Sequence, residues 1–284
     1  MLALIAATLF SAAFSLIVRD AQLRQRNLWA VGAVNYMTAA TIHLARWGLS
    51  PVSPISPTTL LLGAFGGLVY SGSYLLLFRF MQARGVSVAT AILRLSVIIP
   101  VALSILAWGE RPDAMQAWGA GVALVALPLL AYRRSTAQNG KRLPLDRRGL
   151  ALLATLFIST GLCSTTVRAF HQTGVPEQGA LFLGTLFATA ALVTLVAWQG
   201  HRQGTTRADI GPGMTLGLCN ALSNLALVMA LAQLSGVLVF PFQSAMGLVI
   251  VALFARIVWR ERILRTESWG MVLAVAAVVL INLG

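Results

Sequence analysis

Apolar runs long enough to cross a bilayer, about 17–25 residues each, recur from one end of this 284-residue chain to the other. In lipid every backbone polar group has to be paired within the chain, which leaves helices or closed barrels. The runs are continuously apolar rather than alternating, so they select helices. Only 10% of the residues are charged, against roughly 25% in an ordinary globular chain. A soluble domain is therefore excluded, and an all-α integral membrane fold is expected.

Ten helices are predicted, at 2–18, 29–45, 58–78, 87–107, 113–132, 149–169, 177–198, 212–232, 237–257 and 267–283. Most connections are short. Residues 48–57 carry Pro51, Pro54 and Pro57 and cannot be helical throughout. Residues 133–148 are polar and basic and read as a linker between a first five-helix half, 1–132, and a second, 149–284.

Net charge +13 would suggest nucleic acid in a soluble protein. Here the charges sit in short loops, and no basic face interleaved with aromatics is present, so no nucleic acid is expected. Of the 21 Lys and Arg, 17 fall in odd-numbered connections, including the linker. Three (Arg46, Arg111 and Arg168) fall on the opposite side, and Arg94 lies within a helix. Positive residues stay in the cytoplasm, which places the linker inside and both termini outside a bacterial inner membrane. Arg19, Arg24 and Arg26 follow the first apolar run rather than precede it, the flank of an uncleaved first helix.

The chain repeats itself at an offset of 151 residues. Trp108, Glu110, Arg111, Trp118 and Gly119 match Trp259, Glu261, Arg262, Trp269 and Gly270. The same gapless register pairs Gly66 with Gly217, Gln82 with Gln233, Gly85 with Gly236 and Ser73 with Asn224. Five helices per repeat is an odd number, so the two copies enter the membrane from opposite sides. Inverted repeats are the architecture of secondary transporters, in which related halves gate a midplane site alternately.

On the helix count, the repeat and its two turns, Trp108-Gly109-Glu110-Arg111 and Trp259-Arg260-Glu261-Arg262, the chain resembles the drug/metabolite transporter superfamily, in particular its ten-helix EamA-type members. The resemblance covers essentially the whole chain. It implies a central cavity lined largely by the third, fourth, eighth and ninth helices, and export or exchange of amino acids, metabolites or related small solutes. Small multidrug resistance relatives carry a buried Glu in the first helix; here residues 1–18 hold no charge.

Enzymatic constellations are missing. The eight acidic residues, among them Glu110, Glu177, Asp209 and Glu261, fall in loops or at predicted helix ends. Neither paired buried carboxylates nor an H-E-x-x-H motif occurs. Cys163 and Cys219 lie in apolar segments, and His43, His171 and His201 lack ligand spacing. No metal, cofactor or enzymatic activity is expected.

Arg94 stands about ten ångströms into the fourth helix, where an Arg costs ~2.5–3.5 kcal/mol on insertion scales. It either binds an anionic group of the solute or snorkels to the interface. Its repeat mate is Ala245. Other polar residues gather at similar depth. Tyr70, Ser71, Ser73 and Tyr74 lie on the third helix and Asn220, Ser223 and Asn224 on the eighth. Gln243 and Ser244 lie on the ninth, and Asn35 and Tyr36 on the second. Tyr70–Tyr74 and Asn220–Asn224 are each spaced i, i+4, so each pair shares a face. Interhelical hydrogen bonding and a cavity lining are both open readings of these residues. The expected solute site is Arg94, Tyr36, Tyr70, Tyr74, Asn220, Asn224 and Gln243.

The Glu110–Arg111 and Glu261–Arg262 turns read as caps for helix ends. Gly63-x3-Gly67 permits close helix approach. Pro100 and Pro241 are candidate kinks. The expected function is a secondary transporter of small polar metabolites such as amino acids or other carboxylates. A phosphorylated metabolite or nucleotide sugar is the rival cargo, and a non-transporting scaffold or receptor the rival class. The expected partners are a small-molecule substrate and the lipid bilayer, with the chain a monomer or a homodimer.

Overall fold

The computed structural model describes residues 1–50, 54–84, 93, 95–131, 147–200, 206–258 and 265–283. Among them are ten α-helices and no strand. These are α1 (Leu2–Leu23), α2 (Leu28–Gly48), α3 (Pro57–Arg84), α4 (Ile98–Leu106) and α5 (Ala114–Ala131), then α6 (Arg147–Thr173), α7 (Gly179–Gln199), α8 (Ile210–Leu231), α9 (Gly236–Val258) and α10 (Arg265–Leu283). By length and composition, six helical stretches among the described residues can cross a membrane: within α1, α3, α6 and α9, and in α7 and α8 with the 3-10 turns before them. Large apolar side chains are exposed in rows, such as Leu61, Phe65 and Leu68 on α3. A water-soluble surface rarely carries such patches, whereas lipid accepts them. The chain is a multi-pass membrane protein.

Several helices outrun their apolar cores. α1 continues through Arg19 and Asp20 to Leu23, and Arg24 Nε pairs with Asp20 at 2.8 Å one turn back. α6 begins at Arg147, inside the span read as linker, and encloses Arg168. The predicted fourth helix is interrupted: Leu93 and Leu95 are helical, a turn follows at Ser96 and Val97, and α4 runs from Ile98. Pro100 stands one turn after that break, where the missing N–H of a proline interrupts a helix. Pro241 lies inside α9.

The helix starts follow capping rules. Asn27 Oδ1 accepts from the Trp29 and Ala30 amides at 3.1 and 3.4 Å to open α2. Asp113 and Gln116 exchange bonds at the start of α5. Thr206 and Asp209 form a capping box ahead of α8, which accounts for a buried Asp209. α9 is capped from a distance. Glu110 Oε2 accepts the Val237 amide at 3.0 Å, from a turn made possible by Gly109 at φ +65°. A carboxylate at a helix N-terminus also meets the positive end of its dipole. Glu110→Ala is expected to cost ~0.5–2 kcal/mol, read as a lower midpoint of thermal unfolding in detergent.

The helices cluster into two compact units. Unit 1 comprises residues 1–72 and 166–233, and unit 2 residues 73–165 and 234–284. Each unit draws helices from both sequence repeats. In unit 1, α2 packs along α7 and α8, and α1 along α8. In unit 2, α5 packs along α10, and α9 meets α4, α5 and α10. Leu156 on α6 is buried there against Leu76, Leu77 and Phe157. The α2–α7 and α5–α10 pairs are repeat mates packed on one another.

Unit 1 owes its tight packing to glycine. A Cβ on Gly67 would meet the Leu186 carbonyl at 2.4 Å and Thr189 Cβ at 2.6 Å. One on Gly217 would meet the Asn35 carbonyl at 2.5 Å and Thr38 Cβ at 2.6 Å. Gly63 stands against Phe182 O and Thr185, and Gly213 against Val31 O and Val34. In these contacts α2 and α7 keep the offset of 151, since Asn35 corresponds to Leu186 and Thr38 to Thr189. The glycines correspond one residue earlier, Gly63 to Gly213 and Gly67 to Gly217. The gapless register pairing Gly66 with Gly217 is thus corrected between α3 and α8. The corrected mates are Tyr70 with Asn220, Ser73 with Ser223, and Tyr74 with Asn224.

Candidate functional site

Four of the predicted solute residues come together in unit 1. Tyr70 on α3 donates its hydroxyl to Asn224 Oδ1 at 3.0 Å. Asn224 Nδ2 donates both to the Asn220 backbone carbonyl at 3.0 Å and to Asn220 Oδ1 at 2.9 Å. Asn220 Nδ2 donates to Asn35 Oδ1 on α2 at 3.2 Å. The Tyr36 hydroxyl reaches the Tyr70 carbonyl at 3.4 Å. Ser223 donates to the Ala7 carbonyl of α1 at 3.0 Å, which ties the eighth helix to the first. In an apolar surrounding an unmade hydrogen bond costs far more than a made one gains. These residue types in these helices therefore have to find one another.

An aromatic wall backs the amides. Phe187 on α7 stacks on Tyr36 at 6.2 Å, takes Tyr70 edge-on at 6.2 Å, and lies flat against His43 at 5.6 Å. Phe187 is fully buried. Tyr36 and Phe187 are repeat mates at the offset of 151, so the pseudo-symmetric positions touch. Their surroundings differ in chemistry: Asn35 corresponds to Leu186, and the tyrosines of α3 correspond to the asparagines of α8. The duplicated scaffold thus carries an asymmetric polar lining.

Sequence reasoning placed Asn35 nearby but did not select it, and it missed Phe187. An apolar ring in an apolar helix gives no signal of its own. The signal available was that Phe187 stands where the first repeat has Tyr36. Tyr74 and Gln243 fall in unit 2, Tyr74 buried and Gln243 half-buried. Ser73, also in unit 2, bonds Thr160 of α6 at 3.0 Å. Arg94 lies outside the described residues.

The network is closed in this conformation. Asn35 is 0% exposed, Asn220 8% and Asn224 7%. A crevice of about 240 Å³ lies elsewhere in unit 1, lined by Ala30, Val34, Trp198, Thr206, Arg207, Asp209 and Ile210. Its walls are mostly apolar, and its one carboxylate is occupied in the capping box, so the amide network is the better candidate. The buried Arg168 has a structural task. Arg168 donates to the Leu231 carbonyl at 3.3 Å and stands 3.2 Å from His171 Nδ1. A basic group at the C-terminal end of α8 meets the negative end of that helix. Among the described residues no cluster of His, Cys, Asp and Glu could hold a metal ion.

Comparison with known proteins agrees with this architecture. One solved structure, described only as a crystal structure of a protein, superposes with a TM-score of 0.78. It is 15% identical, and the match covers 99% of this chain and 96% of that one. At that identity the likeness concerns the fold. No curated protein matches. The EamA-like transporter family matches residues 1–132 and again residues 147–283, one match per repeat. The chain belongs to the EamA-like transporter family, within the drug/metabolite transporter superfamily.

Proposed function

We propose that the protein is a ten-span secondary transporter of small polar metabolites, amino acids or other carboxylates, working by alternating access between its two repeats. The observation that carries this reading is the Tyr36–Tyr70–Asn224–Asn220–Asn35 network. Helices in lipid are packed by small residues and also by interhelical hydrogen bonds. Here amides and phenols from three helices converge beside an aromatic wall, in a family of transporters. The hydrogen bonds described within it join amides, phenols and backbone carbonyls, which suits a polar solute.

The preference for an anionic group rests on the sequence position of Arg94. A cation placed within an apolar helix favours a counter-charge far more than it would in water. A thermal-shift screen of amino acids, organic acids and sugar phosphates tests the cargo, because a ligand of the native state raises its apparent stability. The strongest amino or organic acid is expected to lose ~2–5 kcal/mol of binding in Arg94→Ala. Near-native affinity in that variant, or a sugar phosphate as the strongest ligand, counts against the assignment.

The charge asymmetry favours both termini outside the bacterial inner membrane and residues 133–148 in the cytoplasm. A periplasm-dependent reporter fused after Gly284 is expected to be active, and one inserted after Asn139 silent. The reverse pattern inverts the topology and leaves the repeat intact.

A further inference from the structure

The polarity of the amide network follows from a single atom. The Asn220 backbone carbonyl is an acceptor only. The Asn224 side-chain atom 3.0 Å from it is therefore the nitrogen. That nitrogen also faces Asn220 Oδ1 at 2.9 Å, so the Asn220 amide is fixed with its oxygen toward Asn224. Asn220 Nδ2 is then left to face Asn35, which has to present its own oxygen at 3.2 Å. At the other end, Asn224 Oδ1 faces Tyr70, whose hydroxyl must donate. Every amide is oriented by its neighbour, and no flip of one of them is tolerated without a donor–donor or acceptor–acceptor clash.

The chain runs Tyr70 to Asn224 to Asn220 to Asn35 and ends on Asn35 Nδ2. That nitrogen is buried and has no hydrogen-bond partner among the described residues. Asn35 itself is fully buried. Buried donors are nearly always satisfied, and an orphan calls for an explanation. The twin repeat shows that the fold does not need it, since Leu186 occupies the matching position. Nor is the amide needed at the close helix contact: Gly217 meets the backbone carbonyl of Asn35, not its side chain.

We propose that Asn35 is a solute-binding residue, whose Nδ2–H binds an acceptor oxygen, carboxylate or carbonyl, of the transported molecule. This rests on the transporter reading above and names a contact within it. Asn220 and Asn224 hold the Asn35 amide in the donor-outward orientation and are positioning residues. The specificity is for an oxygen acceptor: an ammonium brought to the same atom meets donor against donor.

The test uses the full-length protein in detergent and the member of a panel of amino acids and short-chain carboxylates that most raises its melting temperature. Dissociation constants are compared for the native protein, Asn35→Asp and Asn35→Leu. Asn35→Asp keeps an acceptor for Asn220 and replaces the donor with an acceptor. Asn35→Leu installs the residue used by the twin repeat. Both are expected to weaken binding at least tenfold, whereas Leu186→Val leaves it within twofold. If neither Asn35 variant elutes as folded protein, Asn35→Ala is measured; it withdraws the donor together with the acceptor, and the same loss is expected. Affinity within twofold of native in the folded Asn35 variants overturns the assignment and leaves the orphan donor to an ordered water. Absence of binding by the native protein to the whole panel overturns the solute class, and this contact with it.

Discussion

Gly217→Ala is expected to destabilise the folded protein by ~1–3 kcal/mol, and Gly67→Ala by a similar amount, although each adds one methyl group. The added carbon would sit 2.5 Å from the Asn35 carbonyl in the first case and 2.4 Å from the Leu186 carbonyl in the second. Both obstacles are backbone, so no side-chain rotation relieves them. The helices must part, which forfeits packing along the whole contact. Gly121→Ala provides the control. Nothing lies within 4 Å of a Cβ at Gly121, and alanine inside a helix is favoured over glycine by roughly 0.5–1 kcal/mol. Thermal unfolding in detergent should move in opposite directions for the two kinds of position. Equal effects at Gly217 and Gly121 would show that the α2–α8 approach is looser than described.

Asn224→Leu is expected to abolish solute flux and to cost about 1–3 kcal/mol for each buried polar group it strands. Asn220 Oδ1 loses its donor and the Tyr70 hydroxyl loses the acceptor at 3.0 Å. Asn224→Asp separates charge from shape. It can still accept from Tyr70 but sets a carboxylate oxygen against two acceptors, the carbonyl and side-chain oxygens of Asn220. Flux should fail in both variants, with Asn224→Asp still inserted in the membrane. Ser71→Ala serves as the comparison, because the Ser71 hydroxyl bonds only within its own helix, to the Gly67 carbonyl at 2.7 Å and the Leu68 carbonyl at 3.1 Å. Its loss should leave flux intact.

The helices were legible because an apolar run of bilayer length admits few folds. Their ends were less so. Arg19 and Asp20 read as loop residues, yet the helix carries both, and Asp20 pairs with Arg24 at its C-terminal end. Tyr36, Tyr70, Asn220 and Asn224 could be chosen because polar side chains in apolar helices are costly and must converge. Phe187 could not, since nothing in its composition separates it from a core residue. The repeat was visible through Trp, Glu, Arg and Gln, which match poorly by chance. Its register between α3 and α8 was not, because apolar helices align nearly as well one residue over. Geometry resolved it through the paired Gly-x3-Gly contacts of Gly63, Gly67, Gly213 and Gly217. The sorting of helices from both repeats into each compact unit depends on tertiary packing, which periodicity does not encode.

The central claim is that the Tyr70–Asn224–Asn220–Asn35 network serves transport. The most direct measurement is solute exchange across proteoliposomes loaded with the strongest ligand from the amino-acid and carboxylate screen, comparing native protein, Asn224→Leu and Ser71→Ala at equal incorporation. The account predicts exchange well above protein-free liposomes for native and Ser71→Ala, and background for Asn224→Leu. Native-like exchange by Asn224→Leu, or background exchange by the native protein, would contradict it.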